Sequence, residues 1–340
     1  MPTEKIDIIS GDRAAGIARA GELLRRGGIV AIPTETVYGL AASAFDDGAI
    51  KRVFLAKGRP QNNPLIVHIS DFDMLYKIAR DVPVAAKVLA EKFWPGPFTM
   101  VLKRKDVIAE SVSAGLDTVA VRMPASETAR DIIRAAGLPL AAPSANISGA
   151  PSPTKAKYVL ADLDNKVDAV VIGEDCTVGV ESTVVALFCT PPRLLRPGAV
   201  TAEQLCEFLP DLVVDSAVLS EPEQGRAVAS PGMLYKHYAP KTEAFLVEAD
   251  SAGFIDFVNS KDDCAAICFE EELPRIAVKK ISYGAQNNKA ELAKNVFTAL
   301  REVDALAAGR VYIHAPDKSG IGLAIYNRLL RAAAFKVIKL

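Results

Sequence analysis

The sequence predicts an α/β fold in two units, and three observations predict it. Between Ile6 and Arg196, short apolar runs alternate with helical patterns, as in a sheet covered by helices. From about Asp211 to Lys241 the chain carries acidic, Pro- and Gly-containing segments (SEPEQGRAVASPGM) with little periodicity, which is linker composition. A second, shorter alternation of strands and helices then runs to Leu340. The expected division is 1–210, a linker at 211–241, and a smaller unit at 242–340.

Each element has a local reason. Ile6–Ile9 reads as a strand. Asp12 can cap the next helix, whose apolar face holds Ile17, Leu23 and Leu24, and Gly27-Gly28 end it. Ile29–Pro33 reads as a second strand. Asp46 can cap the helix carrying Ile50, Val53, Phe54 and Leu55. Pro64–Ile69 (PLIVHI) is a buried strand, Pro83–Phe93 a helix and Phe98–Leu102 a strand. Thr118–Met123, Pro139–Pro143, Ala169–Ile172, Thr183–Leu187 and Arg193–Arg196 add further strands. Beyond the linker, Glu243–Val247, Ala265–Phe269 and Val311–His314 read as strands, and Lys289–Ala307 and Leu323–Ala334 as helices. Gly320-Ile-Gly322 lacks the third glycine of a dinucleotide fingerprint and reads as a turn into the last helix.

Composition narrows the class. The 340 residues are 50% hydrophobic and 24% charged, enough for sizeable cores, and the formal net charge is −1. That balance argues against bulk electrostatic binding of nucleic acid, though it does not bear on a local basic groove. The five cysteines (Cys176, Cys189, Cys206, Cys264, Cys268) form no C-x-x-C pair and suit a reducing, cytoplasmic compartment. Cys264 and Cys268, within CAAICF, read as small buried hydrophobes. The charged start MPTEKIDIISGDRA does not read as a signal peptide, and the apolar runs are too short to span a bilayer.

The chemistry has no Walker A motif, kinase signature or metal-ligand cluster to rest on. His68, His237 and His314 alone do not make a typical zinc site. What stands out instead is a series of polar segments at strand ends, where open α/β sheets bind ligands. Pro33–Leu40 (PTETVYGL) carries two hydroxyls, a carboxylate and a phenol before a glycine; it also reads as a capped loop. Lys57-Gly58-Arg59-Pro60, with Asn63, sets two cations about a glycine, which suits a triphosphate or a helix dipole. His68 sits in an apolar strand, either as a core residue or as a pocket wall. Arg122 closes an apolar strand that opens at Thr118, so it must be paired or face a cleft, where a carboxylate would satisfy it. Ala142–Gly149 (APSANISG), followed by Ser152, offers hydroxyls, an amide and turn backbone, for phosphate or as an ordinary turn. Glu181-Ser182-Thr183 opens a strand, and Leu195-Arg196-Pro197-Gly198 closes one.

Taken together and in order, PTETVYGL, KGRPQNNPL, FWPGPFT, VAVRMP, APSANISG, STVV and LLRPG resemble the YrdC-like threonylcarbamoyl-AMP synthases, from about residue 13 to residue 209. Ser230–Pro240 (SPGMLYKHYAP) and the ending GIGLAIYNRLLRAA resemble the family's long form, which adds a linker and a C-terminal domain. Ser126 stands where members often have His. The resemblance implies a YrdC-like twisted open mixed sheet with helices, plus a smaller Rossmann-like α/β C-terminal domain. It implies that ATP, L-threonine and bicarbonate give threonylcarbamoyl-AMP and pyrophosphate, for threonylcarbamoyladenosine modification of tRNA next to the anticodon. Mg2+ is expected with ATP, and a downstream tRNA threonylcarbamoyl-transfer machinery as partner. Lys57 and Arg59 are the implied catalytic cations. Thr36, His68, Arg122, Ala142 and Ser182 are implied for L-threonine. Arg59, Asn63, Thr118, Ser144, Ser152 and Arg196 are implied for the nucleotide, and Tyr235, His237 and Tyr238 for a lid. The competing reading is a double-stranded-RNA-binding module without adenylate synthesis, and weak RNA binding stays open beside the enzyme. A hydrogenase-maturation factor with a related domain would need zinc-finger-like and acylphosphatase-like regions that do not occur in this sequence.

Overall fold

The computed structural model describes residues 2–221 and 237–340. Among these, the first unit forms a twelve-stranded mixed sheet. Its order runs Glu4–Asp7, Ala169–Ile172, Val30–Ile32, Gly39–Ser43, Leu140–Ala141, Ile66–His68, Thr118–Arg122, Phe98–Arg104, Thr183–Ala186, Arg193–Arg196 and Val213–Val214, with Ala79–Arg80 pairing beside Phe98–Arg104. The second unit is a five-stranded parallel sheet ordered Lys279–Ser282, Cys264–Cys268, Arg310–His314, Glu243–Glu248 and Val337–Lys339. No helix among the described residues is long and apolar enough to cross a membrane.

Register in the first sheet aligns the polar residues of interest. His68 lies opposite Arg122, Arg122 opposite Thr99, Thr99 opposite Val184, and Val184 opposite Arg196. Residues directly opposite share a face, so His68, Arg122, Thr99 and Arg196 form a row across that face. Strands lie about 4.8 Å apart, so the row is roughly 19 Å long. The other face is packed by the large apolar cluster that includes Leu24, Ile50, Phe54, Leu89, Ile132 and Leu163 from the helices. The row therefore stands on a fixed floor.

The helix Asp47–Lys57 sets the first cation. The Asp46 side chain accepts from the Ala49 N–H at 3.0 Å and starts the helix. Gly58 ends it in the left-handed conformation, with φ of 59°, where a side chain would be strained. Lys57 is thus the last helical residue, and it is buried.

Some boundaries differ from expectation. The first strand is Glu4–Asp7, not Ile6–Ile9, because the Asp7 carboxylate accepts from the Ile9 and Ser10 N–H groups and turns the chain. The stretch expected to be linker from Asp211 first contributes the edge strand Val213–Val214 and a short 3-10 turn, Ser216–Val218, with Ala217 and Val218 buried. In the second unit, the helix Ser251–Asn259 and the strands Lys279–Ser282 and Val337–Lys339 add to the expected elements.

The two units are docked closely. Asp162 pairs with Arg301 at 2.7 Å, and the Asn327 amide donates to the Val218 carbonyl at 2.6 Å. Val37, Val180 and Tyr238 belong to the same apolar cluster as Phe297, Leu300 and Leu329. Gly179, with φ of +83°, lies so close to the helix Lys289–Glu302 that a Cβ there would sit 2.3 Å from the Lys294 Cα.

Candidate active site

The polar row opens into one cleft. It is lined by residues of every polar segment singled out above. Ile66 and His68 both line it, and residues two apart on a strand point the same way. The cleft therefore lies over a face of the sheet, not only at strand ends.

At one end stands Arg122, buried. Its Nη2 pairs with a Glu35 oxygen at 2.6 Å, its Nη1 donates to the Thr36 hydroxyl at 2.9 Å, and its Nε donates to the Gly96 carbonyl at 3.2 Å. Glu35 also accepts from the Ala125 N–H at 2.9 Å. Burial pushes the Glu35 carboxyl up, but Arg122 and that N–H outweigh it and hold it below its ordinary value. Thr34 ties the loop: its hydroxyl donates to the Val37 carbonyl and meets the Thr36 hydroxyl at 2.9 Å. His68 is buried, and its Nδ1 lies 3.2 Å from the Ile66 carbonyl. Burial first, and Arg122 second, push its pKa down to about 3, so it is neutral near pH 7.

At the other end, Arg196 donates through Nε to the Ser182 carbonyl at 3.0 Å and through Nη2 to the Ser182 hydroxyl at 3.1 Å. That hydroxyl also meets Thr99 at 2.7 Å. Arg59 is half-buried, reaches the Asn63 and Pro64 carbonyls only at 3.4 and 3.3 Å, and has an enclosed Nε with no partner among the described residues. The enclosed Asn63 Oδ1, Asn146 Oδ1 and His237 Nε2 likewise lack one. Unsatisfied buried groups are costly, so such atoms point to a ligand or water. His237 is also pushed down to about 3, by burial and then by Arg59.

Lys57 is differently engaged than a free phosphate-binding cation. Its ammonium donates to the Ser144 carbonyl and to the Asn146 carbonyl at 2.6 Å, while the Ser148 N–H donates back to the Lys57 carbonyl at 2.8 Å. Among the described residues two of its three N–H groups have partners, and the third can face the cleft it lines. Burial, then Arg59, depress its pKa well below the lysine value.

Of the residues named from sequence, the cleft brings together Thr36, Lys57, Arg59, His68, Arg122, Ala142, Ser144, Ser182, Arg196, His237 and Tyr238. Asn63 and Ser152 stand one layer behind. The Ser152 hydroxyl donates to Glu181 at 2.5 Å. Thr118 does not line the cleft: it begins the strand that Arg122 ends, about 13 Å away. Tyr235 lies outside the described residues. Sequence reading did not single out Glu35 or Asn146 as site residues. Glu35 had a signal, a carboxylate four residues before Gly39 in a polar loop that follows an apolar strand. No cluster of three or more His, Cys, Asp or Glu that could hold a metal occurs among the described residues.

Comparison with known proteins matches this geometry to a family. A family model described as "Telomere recombination" matches residues 22–198, and one described as "Threonylcarbamoyl-AMP synthase, C-terminal domain" matches residues 200–334. The threonylcarbamoyl-AMP synthase of Pyrococcus abyssi is 42% identical over 94% of this chain and 94% of its own. That of Bacillus subtilis is 40% identical over 95% and 94%. The crystal structure of P. abyssi Sua5 complexed with L-threonine superposes with a TM-score of 0.91 at 36% identity, covering all of both chains (100% and 100%).

Proposed function

The chain belongs to the family of threonylcarbamoyl-AMP synthases, and from that premise we propose how its cleft carries out the condensation of L-threonine, bicarbonate and ATP. The observation that carries the reading is the transverse row. One cleft holds Arg122 and His68 at one end of that row and Arg196 at the other, with Lys57, Arg59 and Ser144 also lining it.

The threonine amine adds to the carbon of bicarbonate, and water leaves to give a carbamate. A carbamate oxygen then attacks the α-phosphorus of ATP, and the bond to the bridging oxygen breaks to release pyrophosphate. Arg122 takes the threonine carboxylate, oriented by Glu35, Thr36 and Gly96. Thr36, His68, Ala142 and Ser182 line the amino-acid and carbamate space. Neutral His68 serves as a hydrogen-bonding group, not as a charge. Arg59, Arg196, Ser144 and the third N–H of Lys57 face the nucleotide, with Asn63 and Ser152 behind them. Each charge-assisted hydrogen bond of this kind contributes about 1.5–3 kcal/mol. Catalysis is then positioning and charge stabilisation, without a covalent intermediate on the protein. The donor set fits Mg2+ only as ATP's own counter-ion, because Glu181, the carboxylate lining the cleft, is already engaged by Ser152 and Arg328. Five free cysteines fit a cytoplasmic setting, and the labile adenylate requires a transfer reaction that delivers it to tRNA.

The test measures pyrophosphate and the adenylate while threonine, bicarbonate and ATP are omitted in turn. Product should require all three. Formation without threonine would assign the amino-acid end to another substrate, and salt-dependent RNA binding without pyrophosphate release would favour the RNA-binding reading.

A further inference from the structure

Behind the wall of the cleft stands a side chain from the other unit. Arg328, on the helix Gly322–Ala332, is fully buried. Its Nε donates to a Glu181 oxygen at 2.7 Å, its Nη2 to the Pro197 carbonyl at 3.1 Å, and its Nη1 to the Asn327 side chain at 2.7 Å. Its guanidinium also sits 5.7 Å from the Tyr238 ring centroid. Tyr238 in turn packs against Phe297 at 5.1 Å, and the next residue's N–H donates to the Gly149 carbonyl at 2.9 Å.

Glu181 presents a difficulty that Arg328 resolves. It is buried, and it lines the same cleft as Arg59, Lys57 and Arg196. Burial acts to raise its pKa, yet Arg328 and then Arg196 hold it below the ordinary carboxylate value, so it is ionised. A bare carboxylate in the wall would repel a triphosphate in a low-dielectric site. It would also draw Arg196 away from Ser182 and the nucleotide.

We propose that Arg328 is a positioning residue for the nucleotide: it fixes and neutralises Glu181, so that the C-terminal unit sets the electrostatics of a cleft built by the first unit. Arg328 does not touch substrate in this account. It acts through Glu181, and through Tyr238, which it supports from below. The C-terminal unit is then part of the nucleotide site and not an appended module. This inference rests on the nucleotide side of the cleft as assigned above.

The decisive experiment is a double-mutant cycle in the full chain, read as KM for ATP at saturating threonine and bicarbonate, and as KM for threonine at saturating ATP. Arg328→Met keeps the bulk and removes the charge. It should raise the KM for ATP about ten-fold or more, with the KM for threonine moving less than about two-fold. Adding Glu181→Gln should recover at least about five-fold of that loss, because a neutral amide still accepts from Ser152 and no longer repels phosphate. Arg328→Lys should recover part of it as well. A merely structural role for Arg328 predicts the opposite sign, with the second substitution adding damage. An unshifted KM for ATP in Arg328→Met, or a double variant no better than the single at an unchanged melting transition, overturns the proposal. Should Arg328→Met fail to fold, the double variant Arg328→Met/Glu181→Gln decides, because it leaves neither buried charge unpaired: its KM for ATP should lie within about two-fold of the wild type, and a larger rise refutes the idea. Threonine- and ATP-dependent turnover in the wild type tests the underlying function separately.

Discussion

Removing Arg122 should produce a stability defect that depends on pH. In Arg122→Ala, Glu35 loses the partner at 2.6 Å while its side chain stays 9% exposed. Breaking a buried pair by deleting one member costs about 3–5 kcal/mol, because the other charge is left uncompensated. The pH dependence follows from Glu35. In the wild type its folded pKa lies below the ordinary 4.5, so it contributes stability above that value, which is lost as pH falls through the folded pKa. In the variant, burial dominates and the folded pKa rises above the unfolded one. The variant then loses stability as pH rises through the unfolded value. The gap between the two proteins should therefore be about 3–5 kcal/mol at pH 7 and shrink by at least half near pH 4. Denaturant midpoints and slopes at the two pH values measure it. A gap of equal size at both would refute the pairing as the source of the defect, and a gap below about 1 kcal/mol at pH 7 would refute the buried-charge reasoning altogether.

Two other expectations follow. Gly179→Val places a Cβ 2.3 Å from the Lys294 Cα and 2.4 Å from the Ala293 carbonyl oxygen, at a φ of +83°. It should destabilise docking of the two units by at least about 2 kcal/mol, seen as faster limited proteolysis between them; wild-type resistance would contradict the close approach. His68 and His237, both near 3 when folded and 6.5 when unfolded, cannot take up a proton that the unfolded chain binds. Stability should fall with acidification from pH 6.5 toward 3, each contributing up to about 1.4 kcal/mol per pH unit, and His68→Gln should flatten that slope. An unchanged slope would mean that His68 is charged in the native state.

Much of this was legible in the sequence, and for local reasons. Ala169–Ile172 is an apolar run, Arg193–Arg196 is a leucine pair between two arginines before Pro197-Gly198, and the limits of both in the structure match. Asp12 and Asp46 mark their helix starts because each accepts from an N–H three residues on. The edge strand Lys279–Ser282 was hidden because edge positions tolerate lysine, so KKIS carries no apolar run. The helix Ser251–Asn259 was obscured by Gly253 and the adjacent aromatics, although Phe254, Ile255 and Val258 form its buried stripe. At the site, the polar segments could be read but not their pairings. Glu35 meets Arg122, and Lys57 meets the carbonyls of residues 144 and 146, only through sheet register and a helix end fixed by tertiary packing. Thr118, implied for the nucleotide by the resemblance, opens the strand that Arg122 closes and lies away from the cleft.

The mutual clasp between Lys57 and the 144–148 turn has a consequence for affinity. Helix end and turn hold each other through backbone carbonyls and an amide, with the apolar core beneath them. Their shape is thus decided when the chain folds, before any ligand arrives. A molecule entering the cleft meets a surface already immobile, and the entropy of arranging these groups does not count against its binding.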